Sequence, residues 1–150
     1  MLWQTKYKRG EYLSVYGEDI EIQTEEGEIV DITNSVNKVV SKSKIKNGIV
    51  CAFTPGSTGA ITTIEYEDGL LSDLSEAVER IFPKRMSYKH NARWGDGNGH
   101  SHVRASMIGP GITIPLRNGA LTLGTWQQIV FMELDNRARR RRIVVQVVGD

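Results

Sequence analysis

From residue 101 to the C-terminus the chain breaks into short apolar runs, "HVRASMIG", "GITIPL", "GALTLGT", "WQQIVFMEL" and "RRIVVQVV", set apart by Gly, Pro and polar turn residues. β-Branched and aromatic residues in such runs, with no sustained 3.6-residue period, predict strands and turns. The stretch "TWQQIVFMELDNRA" is also long enough for a helix. The first half is different. In "SVNKVVSKSKI", Val36, Val39, Val40 and Ile45 recur at helical spacing, with Asp31 or Thr33 as the N-cap and Gly48 as a stop. In "LLSDLSEAVERIF", Leu70, Leu71, Leu74, Ala77, Val78 and Ile81 share one face before Pro83. Two main helices ahead of a strand-rich second half favour an α+β fold over alternating βαβ units. The alternating segment 2–9, "EDIEIQT", "GIVCAF" and "ITTIEY" supply further strands, and "TPGSTGA" is a loop between the last two.

A chain of 150 residues is the usual size of one domain. The formal charge of +1 provides no overall field for nucleic acid or an anionic membrane, so any basic function is local. Cys51 is the only cysteine, which excludes an intrachain disulfide and any multi-cysteine zinc site. Its apolar setting predicts an inert thiol in a reducing compartment. No signal peptide is recognisable and no run approaches the roughly 18 apolar residues of a spanning helix. The expected location is the cytoplasm, with neither nucleic acid nor membrane as partner.

All three histidines fall in "HNARWGDGNGHSH". On a strand, His100 and His102 would share one face, where two imidazoles can converge on an ion and His90 can come across the loop as a third ligand. Three imidazoles with an open fourth position suit a catalytic zinc, with Asp96 or Asn98 fixing the ring tautomers. An Asn-Gly turn whose histidines merely fill hydrogen bonds is the competing reading. In "TPGSTGA", backbone N–H groups and the Ser57 and Thr58 hydroxyls can cradle a phosphate, although no Gly-Lys-Ser/Thr signature of a nucleotide loop is present. Glu65, in "ITTIEYE", is the carboxylate best placed to act as a base, with an exposed-face glutamate as the alternative. The run "RARRRR", residues 137–142, reads as strand-start charges pointing alternately to opposite faces, with Arg137 kept as a possible substrate contact.

Three segments together, "HNARWGDGNGHSH", "IPLRNGALTLGTWQQI" and "MELDNRARRR", resemble the YjbQ-type secondary thiamine-phosphate synthase family, with "LTLGTWQQI" the most specific piece. The resemblance runs from about Ile20 to the C-terminus. It implies a single α+β domain with a β-sandwich-like core of mostly antiparallel strands, assembled as a homotrimer with sites near the subunit interfaces. It also implies a metal-binding protein in which His90, His100 and His102 line a pocket with Asn98. The associated activity joins the hydroxymethylpyrimidine pyrophosphate to the thiazole phosphate and releases pyrophosphate. Many members carry a histidine at the start of the loop, as in "HTSA". This chain reads "FTPGST" with Phe53 in that place, so no role for such a histidine carries over.

That reaction needs two phosphorylated substrates held together and the leaving charge stabilised. A divalent ion, zinc first among them, would serve as the Lewis acid. Ser57, Thr58, Arg104 and Arg137 are the expected phosphate contacts. Trp126 is a stacking surface for a flat heterocycle, with core packing the alternative. Glu65, Asn98 and Gln127 complete the expected catalytic set. A metal-dependent phosphate-ester hydrolase and a noncatalytic metal or phosphometabolite-binding protein remain alternatives.

Overall fold

In the computed structural model, residues 13–150 are described, and the strand expected over 2–9 lies outside them. The elements follow as β1 (Ser14–Thr24), β2 (Ile29–Asp31), α1 (Thr33–Ser43), β3 (Gly48–Phe53), β4 (Gly59–Ile64), α2 (Asp68–Ile81), α3 (Lys89–Trp94), α4 (Gly99–Ile108), β5 (Gly111–Arg117), β6 (Ala120–Leu121), β7 (Gln128–Glu133) and β8 (Arg139–Gly149). One sheet has the order β1-β8-β3-β5-β6 and the other β2-β7-β4. Every pairing is antiparallel.

Period-two alternation builds the larger sheet. Ile143, Val145 and Val147 of β8, Val50 and Ala52 of β3, and Ile114 and Leu116 of β5 point inward. They meet Ile61, Ile129 and Phe131 from the smaller sheet, together with Val36, Val39 and Val40 of α1. Strand β7 is buried on both faces, since Val130 and Met132 point the other way, toward Ala105 of α4 and Leu74 of α2. That is why "IVFME" reads as a continuous apolar run and not as an alternating one. The α+β class and the sandwich-like pairing of sheets are therefore observed.

Helix α1 begins one residue later than an Asp31 cap would require. Ile32 occupies the cap without a side-chain bond, while Asp31 accepts from the Thr33 N–H at 2.8 Å. Helix α2 is capped by Glu67, whose carboxylate accepts from the N–H groups of Gly69 and Leu70. Two further helices depart from the sequence reading. "HVRASMIG" forms most of α4 and not a strand, and α3 precedes it. The inward positions of α4 do recur at helical spacing, but they are His100, Ser101, Arg104 and Ala105. A pattern of apolar residues does not reveal a face built mainly of polar ones.

The corner between α3 and α4 depends on the run "GDGNG". Gly95 and Gly97 adopt φ of 70° and 69°, in the left-handed region. Gly99 serves a different need, because a Cβ there would lie 2.5 Å from Cβ of Tyr88 and 2.9 Å from Oδ1 of Asn91. Asn91 Oδ1 in turn accepts from the Gly99 N–H at 2.7 Å. Gly99→Ala is expected to lower unfolding free energy by about 1–3 kcal/mol through this overpacking. Urea denaturation of the two proteins measures it, and equal midpoints would contradict the close approach.

Candidate functional site

Strand β8 opens on four consecutive arginines, and its pleat sorts them. Arg140 and Arg142 point outward, pairing across to Glu21 and Asp19 of β1. Arg139 and Arg141 point inward, as the alternation predicts, into the end of the sandwich. There they meet Asp135 and Glu133, both fully buried. Arg141 Nε donates to Glu133 Oε2 at 2.7 Å and Nη2 to Glu133 Oε1. Nη2 also donates to Thr58 Oγ1 at 2.9 Å, and the guanidinium lies over the Phe131 ring at 5.9 Å. Thr24 Oγ1 donates to Glu133 at 2.7 Å, so neither buried charge lacks compensation.

Asp135 is the hub of this network. Arg139 Nε donates to it at 2.6 Å, the Asn136 N–H at 2.9 Å and Thr58 Oγ1 at 3.3 Å. Burial pushes its carboxyl up, but the Asn136 N–H, the Arg139 guanidinium and the Asn98 amide together hold it below the ordinary value. Asn98, buried at the start of α4, lies between two carboxylates. Its NH2 donates to Asp135 at 3.4 Å in one orientation of the carboxamide, or to both Asp96 oxygens at 3.0 and 3.1 Å in the other. Asp96 Oδ1 stands 3.4 Å from Nδ1 of His90, and the His90 ring lies 4.3 Å from that of His102 at 32°. The carboxylates of Asp135 and Asp96 thus flank Asn98, with the His90 and His102 rings beyond Asp96.

The third histidine does not join them. Residues two apart on a helix point about 200° apart, so the strand geometry expected for His100 and His102 is replaced by divergence. His102 faces His90 and an open depression with Tyr88, Val103 and Met107. His100 is buried, its Nε2 is 3.3 Å from Ser101 Oγ, and its Nδ1 has no hydrogen-bond partner. Among the described residues no group of three His, Cys, Asp or Glu side chains is arranged to hold a metal ion. Desolvation lowers the His100 pKa, and the charges of Arg104 and Lys84 lower it further.

Arg104 follows His100 to this other side of α4. Its Nε and Nη2 donate to the Phe82 carbonyl at 3.0 and 2.6 Å, and Nη2 also pairs with Glu79 at 2.5 Å. It ties α4 to the end of α2 beside a cavity of about 150 Å³. Arg104 also lines that cavity, with Lys84, Glu79 and Asp135. Glu65, Trp126 and Gln127 lie at the opposite end of the sandwich. The β4–β7 register places Gly59 against Glu133 and Ile64 against Gln128. Six residues along β4 span about 20 Å, so Glu65 is remote from Ser57 within one chain. Glu65 is exposed just beyond β4, not inside a strand. Gln127 braces its own turn, donating to Thr63 Oγ1 at 2.8 Å and accepting from the Gly124 N–H. Trp126 is 71% exposed and so is not core. Arg137 is exposed in the turn after Asp135.

The sequence reading missed Asp135, Glu133, Arg139 and Arg141. The available signal was the period-two sorting of "RARRRR", which requires buried acidic partners if alternate arginines point inward.

An α+β sandwich whose polar end carries two inward arginines, two buried carboxylates and a His-Asp-Asn corner defines the structural class. The sequence matches the UPF0047 protein YjbQ-like family model over residues 18–150, and the chain belongs to that family. A UPF0047 protein of Methanothermobacter thermautotrophicus is 43% identical over 143 residues, covering 95% of this chain and 98% of the relative. One from Archaeoglobus fulgidus is 38% identical over 81% of this chain and 91% of the relative. Among solved structures, a YbjQ-like protein of unknown function from Sulfolobus solfataricus is similar with a TM-score of 0.89 and 39% identity. It covers 93% of this chain and 100% of that one.

No helix among the described residues is long and apolar enough to cross a membrane.

The lowered His100 pKa sets a sign for pH dependence. Below the ordinary imidazole value of 6.5 the unfolded chain binds a proton that the folded chain resists. Stability is therefore expected to fall as pH drops through about 6.5, with Glu79 and Glu26 opposing and Arg104 and Lys84 reinforcing the loss. In His100→Gln the acid-side decline becomes shallower. Urea midpoints at several pH values between about 5 and 8 measure this, and an unchanged slope would remove His100 as its source.

Proposed function

We propose that the chain holds a phosphorylated small molecule at the polar end of the sandwich and acts as a secondary thiamine-phosphate synthase-like transferase. The observation that supports this best is the gathering of Thr58, Asp135, Asn98 and Asp96 with His90 and His102, which sets the small-residue loop and the paired imidazoles at one end of the sandwich. In the reaction, the bond from the pyrimidine methylene carbon to pyrophosphate breaks and a bond from that carbon to the thiazole nitrogen forms. Ionisation gives a resonance-stabilised pyrimidine cation, so the protein needs to position and stabilise charge and not to activate a nucleophile. Ser57 and Thr58 hold phosphate oxygens, and Arg137 reaches in from the turn. Asn98 orients Asp96, which stands beside the ring of His90.

A divalent ion, with zinc the first candidate, belongs to this reading. Nδ1 of His90 is buried without a hydrogen-bond partner, and the neighbouring His102 ring provides a second imidazole. The pair suits a borderline ion, with remaining donors from water, substrate or another copy. When bound, the ion supplies Lewis-acid stabilisation to the departing pyrophosphate. His100 is not part of this donor set. The reading also includes a homotrimer, in which Glu65, Trp126 and Gln127 of one copy can approach the phosphate loop of another.

Two measurements test these statements. Purified protein incubated with the two precursors is expected to form thiamine phosphate, and His90→Ala/His102→Ala to lose both the product and about one bound divalent ion per chain while staying folded. Hydrolysis of phosphate esters without condensation would replace the transferase reading with a hydrolase. For assembly, light scattering is expected to give three times the chain mass, and a monomer mass would reject the shared site.

A further inference from the structure

We propose that Arg141 and the tip of the loop at residues 55–58 form an oxyanion subsite for a phosphate or diphosphate group, with Glu133 as the positioning residue that aims the guanidinium. The loop is tied at both ends and open between them. Thr54 is buried and its N–H donates to the Pro110 carbonyl at 2.8 Å. Thr58 is buried and its carbonyl accepts from the Leu134 N–H at 3.1 Å. Pro55, Gly56 and Ser57 between them are exposed. Gly56 adopts a φ of +123°, which L side chains rarely reach. The N–H groups of Gly56, Ser57 and Thr58 make no hydrogen bond among the described residues, and neither does the Ser57 hydroxyl.

Arg141 lies beneath this tip. Its side chain is only 10% exposed, and Nε and Nη2 are committed to Glu133 and Thr58. Phe131 supports its face. Nη1 makes no hydrogen bond among the described residues and lies 3.8 Å from the position a Cβ on Gly56 would take. A guanidinium with two nitrogens anchored and the third beside Gly56 at the exposed loop tip is preorganised for a tetrahedral oxyanion. Because the pairs Arg139–Asp135 and Arg141–Glu133 cancel in charge, directional N–H donation and not a net positive field would provide the selectivity.

This inference deepens the reading given above, since it names the group that recognises the substrate's phosphate. Inorganic phosphate and pyrophosphate are the probes, titrated separately into the ¹⁵N-labelled full-length chain and followed by NMR. The amide signals of Gly56, Ser57 and Thr58 and the guanidinium signals of Arg141 are expected to shift saturably. Arg141→Lys keeps the charge but loses the fork, and its affinity is expected to drop about tenfold or more. Ser57→Pro removes one exposed N–H, and a weakening of several-fold is expected. Because the shift map is read on the wild-type chain, it stands even where Arg141→Lys fails to fold. Shifts confined to residues away from the loop, or undiminished affinity in a folded Arg141→Lys protein, would overturn the subsite. Loop shifts without condensation of the two precursors would leave the subsite in place and remove the transferase reading. Condensation without loop shifts would do the reverse.

Discussion

The two inward ion pairs of β8, Arg139 with Asp135 and Arg141 with Glu133, are the interaction on which the rest of the structure's polar end depends. Both carboxylates are fully buried, and leaving either without its arginine would strand a desolvated charge at a cost of about 3–5 kcal/mol. The pairs are also reinforced by neutral donors. Thr24 from β1 and Thr58 from the loop before β4 reach the same two carboxylates, and Asn98 from the start of α4 reaches Asp135 in one orientation of its carboxamide. Elements distant in sequence are thereby brought to one place by their need to compensate the same charges.

That network also explains the placement of the candidate site. The loop at 55–58 is held against Arg141 through Thr58, and Asn98 sits between Asp135 and the His90–Asp96 corner. Buried polar groups are therefore concentrated where the sandwich closes, at the opposite end from Glu65 and Gln127. Within one chain the helical geometry of α4 separates the histidines into two environments. His102 looks outward toward His90, while His100 is enclosed with its ionisation suppressed by burial. Any common task for all three would need atoms from outside this chain, whereas His90 and His102 need none to be neighbours.

Much of the fold was legible in local pattern. Alternation revealed β1, short runs of β-branched and apolar residues revealed β3, β5 and β8, and helical spacing revealed α1 and α2, because each packs an apolar face. Helix α4 was not legible for the converse reason. Its inward face contains His100, Ser101 and Arg104, which are accommodated by specific partners and not by hydrophobicity. Helix α3 spans only six residues and has no room for a periodic signal. Among site residues, the loop serines and threonines and Asn98 were readable from composition and turn chemistry. Asp135 and Glu133 were not singled out, since their own neighbours do not show burial and only the inward arginines of β8 call for acidic partners.

By itself, the sequence determined the α+β class, the strands and helices with apolar faces, and the opposite pointing of neighbouring arginines in "RARRRR". These follow from short-range geometry, in which a side chain's direction is set by the residues beside it. Only the tertiary structure decided which carboxylates those arginines meet, that His90 neighbours His102 and not His100, and that Thr58 reaches Asp135. Each of these depends on contacts between segments far apart in the chain, where burial makes an uncompensated charge too costly to leave.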